Sequence, residues 1–523
     1  MRRVLMLVAL AAAALLALAG SSSAAAPADS QALRDAVNVE GVGDHMAALQ
    51  AIADANDGIR ASGTPGYDAS LEYVKEKLEA TGYFDVSVQP FLFDVFIEGA
   101  PGELEQISPN PTSYGDVNTM EYSAAGEVTG QLVAVNDIVI PPGATANTST
   151  AGCEAGDFVP ASDTETQIAL IQRGTCTFQQ KAENAAAAGY DAAVIFNEGQ
   201  PGRDGTLFGT LSADYNQAIP VIGTSFAVGE GLYSQLQAGD TVVVRVFTDG
   251  ETLTDQPTAN LIAKSKTGRT DRQVVVGAHL DSVYQGPGIN DNGSGSSHNL
   301  EIALQMARLE IQPRNQVAFA WWGAEESGLI GSQYYVDQLT KKQIKDIAVN
   351  LNFDMVGSPN YVRFVYDGDA SDTASTGSTG SGVVEDVFND YFASQGLETE
   401  PTAFDGRSDY DAFVAVGIPA GGTFTGAEGV KTPEQAAVYG GVAGEQYDPC
   451  YHEACDTYDS VFNYPPGLPL LEGNGATGLG EMIDAGAHAT LAFAQTTSAV
   501  EGTDKGNANG KYKADYLGSY LRR

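Results

Sequence analysis

Basic residues are scarce in this chain of 523 residues. It has 27 Lys and Arg against 67 Asp and Glu, which gives a formal net charge of −40. A surface this acidic repels phosphate backbones and anionic lipid headgroups, so we exclude nucleic acids and anionic membranes as partners. Hydrophobic residues make up 43% of the chain and charged residues 18%. This composition is globular and excludes a collagen-like, coiled-coil or wholly disordered chain.

Long apolar runs are missing after the first thirty residues, so we expect no transmembrane helix in the body of the chain. The N-terminus has a basic start, an apolar run over residues 4–19 and a zone of small residues over 21–26. This order is typical of a secretory signal peptide, whereas a membrane anchor needs about 20 apolar residues. We predict a signal peptide over residues 1–26 and a secreted, extracellular protein without a membrane partner.

Cysteine is rare as well, with four residues at Cys153, Cys176, Cys450 and Cys455. Four cysteines permit three disulfide pairings, and sequence alone does not choose between them. The local pairing joins Cys153 to Cys176 and Cys450 to Cys455, so that each pair lies within one predicted domain. A zinc site built from all four thiolates is the alternative. Because the chain has no C-x-x-C spacing, disulfides are favoured.

The length exceeds the ~250 to 300 residues at which a single hydrophobic core usually stops growing, so we expect more than one domain. Helical and strand-like patterns alternate over residues 27–126 and 249–499, which predicts a split α/β domain with a mostly parallel central sheet flanked by helices. Residues 127–248 hold strand-like runs, one amphipathic helix and no histidine, which predicts an inserted, smaller, β-rich α+β domain. Residues 500–523 read as a polar tail.

Potential metal ligands follow the apolar strands of the split domain. Ligands of open α/β sheets bind beyond the carboxyl ends of the strands. Acids placed there are costly to desolvate unless a cation pairs with them, and imidazole with carboxylate donors favours zinc. The pattern therefore predicts two divalent ions bridged by a carboxylate. In chain order, the residues of this group are His279, Asp281, Asp291, Glu325, Glu326 and Asp354. His452 adds a second imidazole, inside a tight loop that Cys450 and Cys455 would close.

At these residues the sequence resembles the secreted co-catalytic di-zinc aminopeptidases of the bacterial leucine aminopeptidase type. The resemblance covers residues 56–67 (N-D-G-I-R-A-S-G-T-P-G-Y) and nearly everything over residues 259–495, in both order and spacing. Residues 168–178 and 219–222 resemble the protease-associated domain that is often inserted in that family. The resemblance implies a zinc-exopeptidase-like fold and a zinc-dependent metalloaminopeptidase. Its substrates would be peptides with a free N-terminus, from which it would release hydrophobic residues.

The resemblance also implies a ligand set for two zinc ions per chain. Asp291 would bridge the ions. One ion would also be held by His279 and Asp354, and the other by Glu326 and His452.

Further roles come from the same resemblance. Glu325 fits the general base, and Asp281 fits the partner of the remaining ring nitrogen of His279. Tyr451 is similar to the tyrosine that hydrogen-bonds the oxyanion formed during hydrolysis. Arg407 is similar to an arginine that lines the substrate pocket, with a surface salt bridge as the alternative interpretation.

Other interpretations stay open. The same scaffold serves di-zinc carboxypeptidases, which read a C-terminal carboxylate through a basic pocket. A non-catalytic binding protein on this scaffold should have lost ligands, yet all five ligand positions and the base are filled here.

The inserted domain and the Ser/Thr-rich loop over residues 370–381 depart from the plain family pattern and can reshape the mouth of the cleft. Calcium is a further ion that the many acidic residues could bind. For the oligomeric state, a monomer is favoured.

Overall fold

The computed structural model describes residues 29–200, 203–373, 375, 377–462, 474–497 and 500. The predicted signal peptide over residues 1–26 and residues 501–523 of the predicted tail lie outside the described residues. Among the described helices, none combines the length and the apolar character that a bilayer crossing requires.

Helices and strands alternate along the described chain, as the sequence predicts. The helices are α1 (Gln31–Ala36), α2 (Val39–Asp54), α3 (Pro65–Thr81), α4 (Phe178–Ala187), α5 (Phe226–Gln237), α6 (Gly293–Arg308), α7 (Ile330–Asp337), α8 (Lys341–Asp346), α9 (Ser381–Ser394), α10 (Tyr410–Ala415), α11 (Pro433–Tyr439), α12 (Tyr458–Phe462) and α13 (Asn474–Gln495). The strands are β1 (Phe84–Glu98), β2 (Glu103–Ser108), β3 (Thr112–Tyr114), β4 (Val117–Thr119), β5 (Gly126–Ala134), β6 (Gln167–Gln172), β7 (Ala192–Phe196), β8 (Val221–Thr224), β9 (Val243–Thr248), β10 (Gly250–Ser265), β11 (Arg269–His279), β12 (Asn315–Trp322), β13 (Ile347–Phe353), β14 (Phe364–Tyr366), β15 (Glu400–Thr402) and β16 (Ala420–Phe424).

The first of two eight-stranded sheets has the order β1-β10-β12-β11-β13-β16-β14-β15. Its central strands β12, β11, β13 and β16 are parallel, which confirms the predicted parallel core. Antiparallel pairs lie towards both edges, between β1, β10 and β12 on one side and between β16 and β14 on the other, so the whole sheet is mixed. Strand β13 and nearly all of β12 are buried, as expected for parallel strands covered on both faces.

Helices cover both faces of this sheet. Alternate residues of β12 point to opposite sides, with Phe319 and Trp321 in the larger core that includes α2, α3, α6 and α13. Ala320 and Trp322 belong to a second core with residues of α7 and α10. The site-bearing strand ends are therefore held by packing on two sides.

The second sheet is inserted through a two-stranded ribbon. Strands β1 and β10 pair antiparallel from Phe84 with Ser265 to Glu98 with Gly250. The chain between them forms the order β3-β2-β9-β5-β6-β7-β8-β4, with helices α4 and α5. Strands β2 to β4, which come from the predicted segment 27–126, also pair within this sheet.

Helix α6 lies directly against the central strands. The Asn292 side chain caps its first turn by accepting a hydrogen bond from the amide of Gly295. A Cβ at Gly295 would lie 2.1 Å from the Phe353 carbonyl oxygen, so only glycine permits this approach. Ser296 donates a hydrogen bond to the His279 carbonyl at 2.5 Å. The start of α6 is thereby joined to the ends of β11 and β13, which places Asp291 between them.

Candidate metal and catalytic site

Five of the predicted residues meet around the carboxylate of Asp291. Its Oδ1 lies 3.2 Å from His279 Nε2, and the same nitrogen lies 3.3 Å from Asp354 Oδ1. Its Oδ2 lies 3.3 Å from His452 Nε2, which is also 3.2 Å from Glu326 Oε2. The two oxygens of one carboxylate therefore face two separate pairs, each with one imidazole and one acid.

Local structure explains this convergence. His279 ends β11, Asp354 directly follows β13, and Glu326 follows β12 after a short turn. Because these strands are parallel neighbours, their carboxyl ends share one edge of the sheet. His452 comes from a loop closed by the Cys450–Cys455 disulfide, which the structure contains together with Cys153–Cys176. The predicted local pairing of the four cysteines is confirmed.

Glu325 stands beside this group without joining either pair. It is buried, and its Oε2 lies 3.9 Å from His279 Nε2. Its backbone amide donates a hydrogen bond of 3.3 Å to Asp281 Oδ1. Asp281 also reaches the other side of the His279 ring: its main-chain oxygen lies 3.1 Å from Nδ1 and its carboxylate 3.5 Å away. The carbonyl, not the predicted carboxylate, is thus the nearer partner of that nitrogen.

Burial shifts the pKa values of the acids here. It raises the pKa of Glu325 well above its usual range and that of Glu326 to about 7, and neighbouring carboxylates add to both shifts. Burial also raises the pKa of Asp409, the residue before α10, to about 8. Burial opposes protonation of His452, but Glu326 and Asp291 raise its pKa to about 10. The cluster holds an excess of negative charge that attracts protons or cations.

Some buried oxygens lack a hydrogen-bond donor. Glu326 Oε1 and Asp354 Oδ1 have none among the described residues. Such atoms cost free energy unless they are paired, and a cation pairs with them directly. Imidazole nitrogens and carboxylate oxygens are the donors that zinc takes in proteins. The residues present therefore fit two zinc ions, with Asp291 between them.

Tyr451 and Arg407 form the next group outwards. The Tyr451 ring stacks on the His452 imidazole, with 3.8 Å between ring centroids. Arg407 Nη2 donates a hydrogen bond of 3.1 Å to the Tyr451 hydroxyl. The same guanidinium binds both carboxylate oxygens of Glu428, at 2.7 and 3.2 Å. Arg407 thus lies beside the site and forms a salt bridge with Glu428, and its contact with the substrate stays a prediction.

Several residues that hydrogen-bond the proposed ligands are not identified by the sequence analysis. Ser408 donates a 2.5 Å hydrogen bond to Asp354 Oδ2. Asp456, just after the disulfide loop, accepts hydrogen bonds from the amides of Asn290 and Asp291 at 2.8 and 2.9 Å. The position of Asp456 next to Cys455 is the local signal that could have revealed it.

Arg60 is a further residue of the site that the sequence analysis does not identify. It is fully buried, and its guanidinium donates hydrogen bonds of 2.5 to 2.8 Å to the carbonyls of Leu280, Pro287 and Gly288. It therefore holds together both ends of the loop that connects His279 to Asp291. Its charge also lies close to several site acids, although burial lowers its pKa to about 10. Arg60 lies within the stretch that carries the resemblance, but its partners are main-chain atoms more than 200 positions away.

We expect Arg60→Met to lower the free energy of unfolding by about 2 to 6 kcal/mol, because the buried carbonyls of Leu280 and Pro287 lose this donor at roughly 1 to 3 kcal/mol each. The Gly288 carbonyl keeps the hydrogen bond from the Gly293 amide. Urea unfolding with zinc present measures this change. Arg308→Met, at an exposed arginine of α6, should stay within about 0.5 kcal/mol of the unchanged protein. Equal losses in the two variants would contradict the role of Arg60.

The other three histidines lie outside this group. His298 is buried, with its ring 4.4 Å from that of Phe353. His45 contacts Glu301 at 3.3 Å, and His488 stacks on Tyr391. Each is a packing residue.

Glu121, in the inserted part of the chain, lies close enough to the site to interact with the charge of His452. Glu121 follows β4 and pairs with Thr210 in an isolated bridge. Burial raises the pKa of Glu121 to about 7, and the nearby charge of His452 works in the opposite direction. The inserted part of the chain therefore contributes an acid close to the disulfide loop.

A second group of acids, Asp367, Asp369 and Glu385, is also close enough together to hold a cation. The oxygens of Asp367 already accept backbone hydrogen bonds from Ser371, Asp372 and Thr373. We assign no ion to this group, and calcium binding stays a prediction.

Comparisons with known proteins agree with this geometry. A family model described as peptidase family M28 matches residues 260–464, and one described as the PA domain matches residues 128–232. An aminopeptidase of Pseudomonas aeruginosa (strain UCBPP-PA14) is 48% identical over 414 residues, which cover 78% of this chain and 74% of that protein. Leucine aminopeptidase 2 of Arthroderma otae is 38% identical over 404 residues, which cover 77% of this chain and 76% of that protein.

Solved structures are similar over most of the chain. An aminopeptidase from Aneurinibacillus sp. strain AM-1 has a TM-score of 0.65 and 25% identity, covering 88% of this chain and 95% of that one. A zinc aminopeptidase from Bacillus subtilis has a TM-score of 0.55 and 25% identity, covering 86% and 94%.

Proposed function

Since the chain belongs to peptidase family M28 and is a zinc-dependent aminopeptidase with an inserted PA domain, we propose that it uses two zinc ions to remove N-terminal, hydrophobic residues from peptides outside the cell. The observation that carries this proposal is the position of Asp291, whose two oxygens face two different pairs of histidine and acid. A single-ion site would have no use for this arrangement.

The ligand set follows from these pairs. His279, Asp354 and Asp291 would hold one ion, and Glu326, His452 and Asp291 the other. When bound, two zinc ions supply Lewis-acid activation of a water molecule and of the peptide carbonyl.

Glu325 is the proposed general base. It lies beside His279 but is not needed as a ligand by either pair, so its carboxylate is available for proton transfer. Burial raises its pKa well above the usual range of a glutamate, and a more basic carboxylate holds the proton that it accepts more strongly. Its Oε2 would take the proton of the attacking water and later deliver it to the leaving amine. The hydrogen bond from its amide to Asp281 fixes the backbone that carries this side chain.

Tyr451 is the proposed hydrogen-bond donor to the oxyanion. Arg407 donates to its hydroxyl oxygen, which leaves the hydroxyl proton for another acceptor. Stacking on His452 fixes the ring, so this proton can be directed at the carbonyl oxygen of a substrate in the site.

The substrate class follows from charge and from the named relatives. A free α-amine is cationic, and the site surrounds it with an excess of carboxylates, whereas a blocked N-terminus lacks this attraction. The name of the Arthroderma otae relative specifies leucine, which favours hydrophobic N-terminal residues. The two disulfides and the N-terminal sequence support an oxidising, extracellular location.

Substrates with different ends test this function. We expect leucine p-nitroanilide to be hydrolysed and its N-acetyl derivative to be inert, with two zinc ions per chain by elemental analysis. The matched peptide pair carries either a blocked N-terminus or a blocked C-terminus. Cleavage of the peptide with the blocked N-terminus at its free C-terminal end would favour a carboxypeptidase on this scaffold.

A further inference from the structure

Glu428 occupies a position next to the site that the chemistry described above does not use. Its carboxylate binds Arg407 through two hydrogen bonds, and the pair is partly accessible: the Arg407 side chain is 28% exposed and that of Glu428 48%. Arg407 in turn contacts Tyr451, which stacks on His452. Glu428 is therefore three side chains away from the ligands, on the side open to solvent.

Charge balance defines what this pair can do. A lone guanidinium beside Tyr451 would attract carboxylates, because arginine binds them with two parallel hydrogen bonds. Glu428 already accepts two hydrogen bonds from the Arg407 guanidinium and neutralises its charge. Asp405 adds a second acid, since its Oδ1 accepts a hydrogen bond of 3.2 Å from the Arg407 amide. The local sum of one arginine and two acids is negative.

We infer that Glu428 is a specificity-determining residue, which excludes substrates with a carboxylate next to the scissile bond by neutralising Arg407. This inference rests on the proposed aminopeptidase function and deepens it, because it identifies acidic residues as the substrates that are rejected. It also explains how a pocket that contains an arginine selects against carboxylates, where the carboxypeptidase interpretation would use the same arginine to bind one.

Glu428→Gln tests the inference, since it removes the charge and keeps the size. The readout is the ratio of kcat/KM for a glutamate substrate to that for its glutamine isostere. For the residue before the scissile bond, the ratio is measured with Glu and Gln p-nitroanilides. For the residue after it, the ratio is measured with Leu-Glu and Leu-Gln amides. We expect this ratio to rise about tenfold at one or both positions, while leucine p-nitroanilide changes by less than about threefold.

Three controls separate charge from structure. Glu428→Asp keeps the charge and should keep the unchanged protein's ratio. Glu445→Gln removes an exposed acid whose side chain makes no ion pair within the described part of the chain, and its ratio should change by less than about twofold. In the double variant with Arg407→Gln, the gain from Glu428→Gln should disappear, because the cation that attracts the substrate is gone.

The opposing outcomes are distinct. If neither ratio changes in Glu428→Gln, or if the rise persists without Arg407, Glu428 does not set specificity and the inference is overturned. A general loss of kcat/KM with unchanged ratios also overturns it, because it shows that Glu428 only positions Arg407 and Tyr451. Failure of the unchanged protein to cleave any substrate with a free amine would instead refute the proposed function.

Discussion

Glu325→Gln is expected to lower kcat for leucine p-nitroanilide by about 10² to 10⁴, the usual contribution of a positioned general base. Glutamine has almost the same shape but cannot take a proton from water. Neither imidazole–acid pair around Asp291 includes Glu325, so we expect zinc content and KM to stay close to those of the unchanged protein. Steady-state kinetics with zinc analysis on the same sample measure all three quantities.

The adjacent residue is the matched control. Glu326 carries the same side chain on the same turn, but its Oε2 lies 3.2 Å from His452 Nε2 within one of the two pairs. Glu326→Gln should therefore lose zinc as well as activity, and added zinc should recover part of the activity. If Glu325→Gln kept more than a tenth of kcat, or if both variants lost zinc equally, the division of roles between the two acids would be wrong.

The sequence predicts the central strands and the candidate ligands at their ends from signals that are local. Strands β11, β12 and β13 each contain a short apolar run, and His279 and Asp354 stand where two of those runs stop. A titratable side chain buried at that point costs free energy unless it pairs with a ligand or a counter-charge, so its presence indicates a site. The length of the edge strand β1 is harder to predict from the sequence, because the strand continues past Pro90 to Glu98. Strand β1 is an edge strand, and its one neighbour is β10, where Ala259 pairs with Pro90. An edge strand tolerates proline because one of its sides needs no backbone hydrogen bonds to a further strand.

Other parts of the site depend on contacts that no local pattern reveals. His452 lies in an irregular loop with positive φ, so it lacks the strand-end signal that marks His279 and Asp354. Arg60 binds carbonyl groups, which carry no residue identity. Glu428 meets Arg407 across 21 positions that include the helix α10 and the strand β16. The second sheet likewise begins before residue 127, because the short strands β2 to β4 have little periodicity of their own.

The buried titratable groups around the proposed metal site should make the protein unstable without metal, and this effect should grow with pH. In the metal-free fold the pKa of Glu326 is raised to about 7, that of Asp409 to about 8 and that of His452 to about 10. Each raised pKa means that the folded chain holds a proton that the unfolded chain releases earlier. The stability due to these protons is lost as the pH rises from the unfolded pKa through the folded one. All three groups act in this direction up to about pH 7, Asp409 and His452 up to about pH 8, and His452 up to pH 9.

Exhaustive chelation should therefore abolish hydrolysis and also change the pH profile of unfolding. Each additional proton held by the folded chain contributes a slope of about 1.4 kcal/mol per pH unit, so the metal-free protein should lose several kcal/mol between pH 6 and 9. The zinc-loaded protein should vary much less, because bound cations replace the protons as partners of the carboxylates. Urea unfolding of both forms at pH 6, 7.5 and 9 measures the difference between the slopes. Parallel profiles would show that Asp291 and the four residues around it do not bind the metal that the enzyme needs, whatever the effect of chelation on activity.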